Sequence, residues 1–498
     1  MITINQLTKV VGLGLLLTSL TVLNAEAGDN SSLLKKLVKK GVITQAEAAA
    51  LLETRTEENN DKSPNWVSSL TLEEDLLLRF HHTHDGEPSD GATPDVPAWL
   101  QKLSMKADSR VALNQEQEKS RNQGWLAQGK FLLNMRYRYE YADERAKNVS
   151  HANTLRTRLG YQTPMVGGFQ ALAELEDVRI IGNEDNYNQS GGIGPADRTV
   201  IADVKDTELN RGWLSYTTPE GTIFKVGRQL ITLDKGRFLG SVGWRQNEQT
   251  HDAISLTTAP WEDTTLFYSY IDRVNRIFSN EHPDGNFDSQ SHLINLSYSG
   301  LPAGKVTTYA YLLDFGNSLP NSTHTYGGSL TGTKPATEEI ELNYHAEFAW
   351  QTDAGDSPLD YDTEYYHLAL GSSYERFTLT GGYEVLGTDN GVGFKTPLAT
   401  LHAFNGFADA FLTTPGDGLR DIYIKADQKL PWDWKLGVAW HDFESEGNGA
   451  DLGQEWDAVL SKKIDKNWSF LIKAAAYDGA GSSYADRDKV WAVFQYIY

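Results

Sequence analysis

Four arginines sit at every second place in two neighbouring stretches, Arg136 with Arg138 and Arg156 with Arg158, and the next patterned stretch carries Glu174 and Glu176 at the same spacing. Period-2 spacing puts each set on one face of a strand. Guanidiniums arranged this way support two kinds of chemistry: bidentate contact with the carboxylates of a passing anionic solute, or pairing with acids on adjoining strands to brace a wall. Both readings stay open on the sequence. A second concentration lies in 229–252, which carries Asp234, Arg237, Trp244, Arg245, Gln246 and Asn247 and is bounded by Arg228 and Asp252. Guanidinium, amide and indole groups at that density suit a loop folded into a lumen as a constriction, or a polysaccharide contact at its mouth. Lys225 is assigned to the same pore-lining set, as are Arg228, Arg237, Arg245, Gln246, Asn247 and Asp252.

Catalytic signatures are missing. The chain has no GxSxG elbow, Walker A loop, dinucleotide fingerprint or HExxH helix, so no catalytic residue is assigned and no cofactor or metal is expected. His81, His82, His84 and Asp85 cluster without further spaced ligands and read as a surface run. Carboxylate pairs of the kind that cleave glycosides depend on separations that a sequence does not show.

The elements that would position these groups show in the composition. The 498 residues hold 45 Lys and Arg against 67 Asp and Glu, a net charge of −22 that argues against nucleic acid as a partner. Mean hydropathy is −0.46, which excludes a bundle of apolar membrane helices. Yet the chain carries 23 Tyr, 18 Phe, 13 Trp and 44 Gly, a supply that favours strands and turns. With no cysteine, disulfides and thiolate metal sites are excluded.

Residues 1–27 read as a secretory signal: Lys9, an apolar run from Val10 to Leu23, and the small-x-small end Ala25-Glu26-Ala27. Its removal takes away one positive and one negative charge (Lys9 and Glu26), so the mature chain keeps −22. Residues 28–64 read as a periplasmic helical hairpin and linker, with Leu33, Leu34, Leu37 and Val38 at helical spacing and a Thr44/Glu47 capping box. Residues 65–125 form an extension to which no element is assigned.

From Lys130 onward the signal is strict alternation, as in Phe131, Leu133, Met135, Tyr137, Tyr139 and Tyr141. Similar segments recur to Tyr498 and predict an antiparallel barrel of about 18 strands over 126–498. Every second connector is short, for example 218–221, 300–304 and 465–468, and those between are mostly longer, such as 179–207, 229–252 and 386–418. Short turns at one end and long loops at the other are what an outer-membrane barrel requires. The alternation Val490, Ala492, Phe494, Tyr496, Tyr498 is similar to the terminal strand read by the bacterial barrel assembly machinery. Trp213, Trp261, Trp350, Trp432, Trp434, Trp440, Trp456 and Trp468 fall near strand ends, as interface girdles do.

On these strands the chain resembles the alginate export family of outer-membrane barrels. The carrying segments are TLRTRLGYQTP (154–164), KVGRQLITLDKGRFLGSVGWRQNEQTHDA (225–253), TTLFYSYIDRVNRIF (264–278), SHLINLSYSGLPAGKVTTYAYLLDF (291–315) and FKTPLATLHAFNGFADAFLTTP (394–415). The resemblance implies an 18-stranded porin-like channel. The expectations are a monomer surrounded by outer-membrane lipid, with periplasmic termini and extracellular long loops. Its solute is polar or anionic and alginate-like, with export or uptake undecided. A general small-solute porin is the alternative, and an outer-membrane hydrolase a third reading. Acidic outer loops, with Glu184, Asp185, Asp203 and Asp284 among their residues, disfavour entry of a polyanion from outside.

Overall fold

The computed structural model describes residues 128–498 except 281, 482 and 483. The signal segment 1–27, the hairpin and linker 28–64, the extension 65–125 and the histidine run at 81–84 therefore lie outside the described residues. The first strands are β1 (Lys130–Glu144), β2 (Ser150–Gln162), β3 (Phe169–Ile180), β4 (Asp206–Thr217), β5 (Ile223–Gln229), β6 (Thr250–Thr258) and β7 (Thr264–Asn275). Next come β8 (Asn286–Leu301), β9 (Gly304–Leu313), β10 (Thr323–Pro335), β11 (Ile340–Asp353), β12 (Asp362–Tyr374) and β13 (Phe377–Leu386). After a small ribbon of β14 (Thr388–Asp389) and β15 (Val392–Gly393), the wall resumes with β16 (Leu419–Lys429) and β17 (Trp434–Glu444). It ends with β18 (Asp451–Lys463), β19 (Trp468–Gly479) and β20 (Arg487–Ile497).

All but the ribbon join one 18-stranded antiparallel sheet. It closes because β20 pairs back onto β1, Phe494 opposite Tyr137 and Val490 opposite Tyr141. Closure leaves no strand edge with unpaired backbone groups, which is the condition for crossing a bilayer with strands. The segments expected from alternation coincide with the eighteen wall strands, and the ribbon inside the connector 387–418 is additional to them.

Burial is inverted relative to a water-soluble sandwich. On β3, Leu175 is 55% exposed while its neighbours Glu174 and Glu176 are 3% and 1% exposed. The same alternation puts Arg136, Arg138, Arg156 and Arg158 inside, with Phe131, Met135, Tyr137 and Leu159 outside. An apolar exterior around a charged interior is stable only where the exterior meets hydrocarbon. Exposed rings such as Trp261, Trp432, Phe169 and Tyr498 gather at the end with the short turns, and Tyr326, Trp350 and Trp456 lie on the outer face towards the other end. Trp213 departs from the expected girdle: it stands opposite Leu172 and Gly227 on the inner face, with the Lys225 ammonium 4.9 Å from its ring centroid.

Candidate functional site

Two of the long connectors, 230–249 between β5 and β6 and 387–418 between β13 and β16, fold into the barrel and join each other there. Gly240 N–H donates to Leu398 O at 2.9 Å and Thr400 N–H to Gly236 O at 2.8 Å. The Gln249 side-chain amide donates to Gly240 O and Leu398 O, at 2.9 and 3.2 Å. Apolar residues of the loops, among them Phe238, Leu239, Phe394, Leu398 and Phe411, form one buried cluster with the wall residues Tyr309, Tyr365, Phe443, Tyr477 and Trp491. Burying these side chains gives the joined loops a core of their own.

Charge pairs then fix this plug to the wall. From the first loop, Arg237 Nε pairs with Glu384 of β13 at 2.8 Å, and Arg245 bridges Glu140 of β1 at 3.3 Å and Asp409 of the second loop at 2.9 Å. Asp234 accepts from Asn295 of β8 at 2.6 Å and from the Tyr311 hydroxyl of β9 at 3.2 Å. In the second loop, Asn405 donates to Glu384 at 2.7 Å and to Asp421 of β16 at 3.1 Å. The backbone N–H groups of Phe407 and Ala408 donate to Asp457 and Glu455 of β18, at 3.1 and 2.6 Å. A tight turn makes this approach possible. Gly406 has φ +84°, and a Cβ there would run into the Glu455 carboxylate.

Asp409 is the hub. It accepts from Arg245, from Lys489 of β20 at 2.8 Å and from His402 Nδ1 at 2.7 Å. The Lys473 ammonium of β19 lies 2.8 Å from His402 Nε2, so the ring fits as a neutral relay that accepts from Lys473 and donates to Asp409. Trp244 stacks on that imidazole at 4.7 Å. Burial pushes His402 down to about 3, with Lys473 and Arg245 adding to the shift and Asp409 opposing it. Burial works against ionisation of Asp409, yet His402, Lys489 and Arg245 together hold its carboxyl well below the usual carboxylate range.

The structure brings most of the residues singled out by sequence into this assembly. Arg136 donates to Gln246 at 2.9 Å and to Gly243 O at 2.8 Å. Arg138, only 1% exposed, pairs with Asp203, lies 3.5 Å from Glu140 and donates to Trp244 O. Arg158 pairs with Glu176 and, at 3.0 Å, with Glu248, while Arg156 donates to Asn134 at 3.0 Å. Glu174 receives a bidentate contact from Arg211 at 2.8 and 2.6 Å. Gln246 donates to Thr154 at 2.7 Å, and Asn247 to Val204 O at 2.9 Å.

Three sequence assignments change. Arg228 and Asp252, expected on the pore side, form a bidentate pair at 2.8 and 3.0 Å on the outer face. The period-2 rule decides it: Arg228 shares its parity with exposed Phe224 and Val226, and Asp252 alternates with buried His251 and Ala253. Asp203, read as part of an acidic outer surface, is fully buried against Arg138. Glu248, His402, Asn405, Asp409, Glu455 and Lys489 were not singled out at all. The available signal was the His, Asn and Asp density of 402–409.

Comparison with known proteins agrees with this architecture. OccAB2 of Acinetobacter baumannii superposes with a TM-score of 0.61 at 14% identity, over 76% of this chain and 100% of that one. OpdL of Pseudomonas aeruginosa gives 0.56 at 18% identity, covering 75% and 99%. OpdK of the same organism, solved with vanillate, gives 0.58 at 14%, covering 75% and 100%. At such identities the likeness is one of fold. No curated protein sequence matches the chain. The model of the family described as alginate export matches residues 127–375, half of the chain and the first eleven strands together with β12, and this closed outer-membrane-type barrel belongs to that family.

Proposed function

We propose that the protein is a passive channel of the outer membrane that admits polar solutes past a plug of its own loops, without catalysis. The observation that carries this reading is the plug: two connectors folded inward and clamped to β1, β8, β9, β13, β16, β18, β19 and β20, inside a wall whose inner face is charged. Such a wall conducts water and ions and selects by charge and width. A plug held by polar contacts narrows the passage and sets what enters.

The solute class we favour is anionic, an alginate-like uronate polymer or its fragments, on family membership and the arginine-rich wall of β1 and β2. OpdK, solved with vanillate, offers a parallel for a carboxylate at this fold. The alternative, a small-solute porin, draws support from one specific observation. Arg138 and Arg158 are already neutralised by Asp203, Glu176 and Glu248, so their first role is to brace the wall and the connectors folded against it, Arg138 at Asp203 and Trp244 O and Arg158 at Glu248. In either reading the barrel is a monomer in outer-membrane lipid, inserted by the barrel assembly machinery after export by the 1–27 signal. The short turns and both chain termini then face the periplasm.

Liposome swelling with a series of neutral sugars, uronates and oligouronates tests the proposal. We expect uronates to enter faster than neutral sugars of equal size, and absence of permeation by any solute would overturn the channel reading. Replacing Arg136, Arg138, Arg156 and Arg158 by Gln should lower anion over cation permeability in planar bilayers. Unchanged selectivity would leave these arginines as braces only.

A further inference from the structure

The inner face of β11 and β12 contains a group of side chains that neither the plug nor the arginine wall uses. His345 and Glu347 are two residues apart on β11 and so share its inner face, and His367 of β12 stands directly opposite Glu347. Each of the three offers a ligand atom within 4.8 Å of the other two. His345 Nε2 lies 3.2 Å from Glu347 Oε2.

From this juxtaposition we propose that His345, Glu347 and His367 bind one divalent first-row transition ion of the Zn2+ type in the wall of the barrel. Two imidazoles and one carboxylate are a ligand set suited to such an ion, with a further coordination position left for water or a solute carboxylate.

Three features of the surroundings support the assignment. Each ligand has an outer partner of the kind that orients metal-binding groups: Thr331 Oγ1 lies 2.9 Å from His345 Nδ1, the Tyr309 hydroxyl donates to Glu347 Oε1 at 2.8 Å, and the Tyr423 hydroxyl lies 2.9 Å from His367 Nε2. Glu347 is a buried carboxylate whose ion-pair contact, among the described residues, is with His345, whereas Glu140, Glu174, Glu176 and Glu384 are each paired with an arginine. A cation between the imidazoles would neutralise it. The row of inner-face residues beside His345 continues with Ala369 and Gly382, so small side chains flank the site. Ligand atoms around one ion sit closer together than 4.8 Å at ordinary metal–ligand bond lengths of about 2.0–2.2 Å, and small side-chain rotations would complete the closure.

The full-length protein in detergent, with His81, His82 and His84 replaced by Gln to remove the N-terminal histidine run, is titrated with ZnCl2 by equilibrium dialysis. We expect one ion per chain, and at least tenfold weaker binding in His345→Gln, His367→Gln and Glu347→Gln, with folding of each variant checked by heat-modifiable migration. Binding by the His345→Gln/His367→Gln double variant equal to that of its parent would overturn the proposal. As a readout that needs no substitution in the wall, Cu2+ is also added to the parent, and pulsed electron paramagnetic resonance reads the bound ligands. Coupling to two imidazoles supports the site, and a spectrum without imidazole coupling overturns it.

Discussion

Asp409 shows what a single side chain does in this barrel. It carries one negative charge among Arg245, Lys489 and His402, and all four groups are buried. Removing one member of a buried charge cluster leaves the others uncompensated, which typically costs about 3–5 kcal/mol. In Asp409→Asn that cost falls on the docked plug rather than on the hydrogen-bonded wall. The expected outcome is a barrel that still migrates as folded, with faster proteolysis within 387–418 and a larger, noisier unit conductance. His402 adds a dependence on pH. Its folded value of about 3 lies below the ordinary 6.5, so unplugged loops bind a proton that docked loops do not. The docked state is therefore fully favoured above about 6.5 and loses stability progressively as pH falls below that value towards the folded one. Burial among the rings of Trp244, Phe407 and Trp491 sets this sign, Lys473 at Nε2 and Arg245 add to it, and Asp409 at Nδ1, itself paired with Lys489, opposes it. Single-channel recordings at pH 7.5 and pH 5 should show more frequent opening at the lower pH, and His402→Gln should flatten that response.

Elements were far more legible in the sequence than the contacts between them. A strand with one lipid face declares itself by period 2, and each short turn fixes where the next begins, so the wall could be read from Lys130 to Tyr498. Loop residues have no such period. Arg136 meets Gln246 across 110 positions of sequence, and Arg245 meets Asp409 across 164, pairings that only closure of the barrel creates. The sequence therefore offered a constriction and a mouth contact as equal options for 229–252, and the fold places most of that segment inside. Arg228 and Asp252 border that loop, but the alternation of their own strands places them on the outer face. The histidine pair is illegible for a related reason: β11 and β12 are joined by the longer connector 354–361, so the register that sets Glu347 opposite His367 does not follow from a tight turn. The last strand offers a test at this scale. Deleting 487–498 removes β20 and exposes edges on both β1 and β19. With a row of backbone groups unpaired in hydrocarbon, the truncated chain should yield no heat-modifiable folded form and should accumulate as aggregate.

At the scale of the whole molecule, polarity is turned inside out, and this reconciles a net charge of −22 with a membrane-type barrel. Charge resides in the lumen, where arginines and acids neutralise each other in pairs, and in the loops, while the outer face of the wall is largely apolar and aromatic. The argument turns on one-residue alternation, so it is best tested on two adjacent positions. Leu368, at the middle of β12, is 54% exposed on the outer face beside Ala346 and Tyr383, and Ala369 is the next residue, opposite His345 on the inner face. In Leu368→Arg a guanidinium must sit near the bilayer midplane or distort the lipid to reach water, a penalty of about 2–4 kcal/mol. In Ala369→Arg the same group enters a wet, acidic lumen near Glu347, and the loss should be under about half of that, with selectivity rather than stability as the main change. Urea titration of vesicle-inserted protein compares the two, and an equal loss would mean that the faces of β12 are not divided between lipid and water. The same pair separates the membrane effect from simple crowding, because in detergent micelles, whose apolar layer deforms readily around a charge, the Leu368→Arg penalty should shrink towards that of Ala369→Arg.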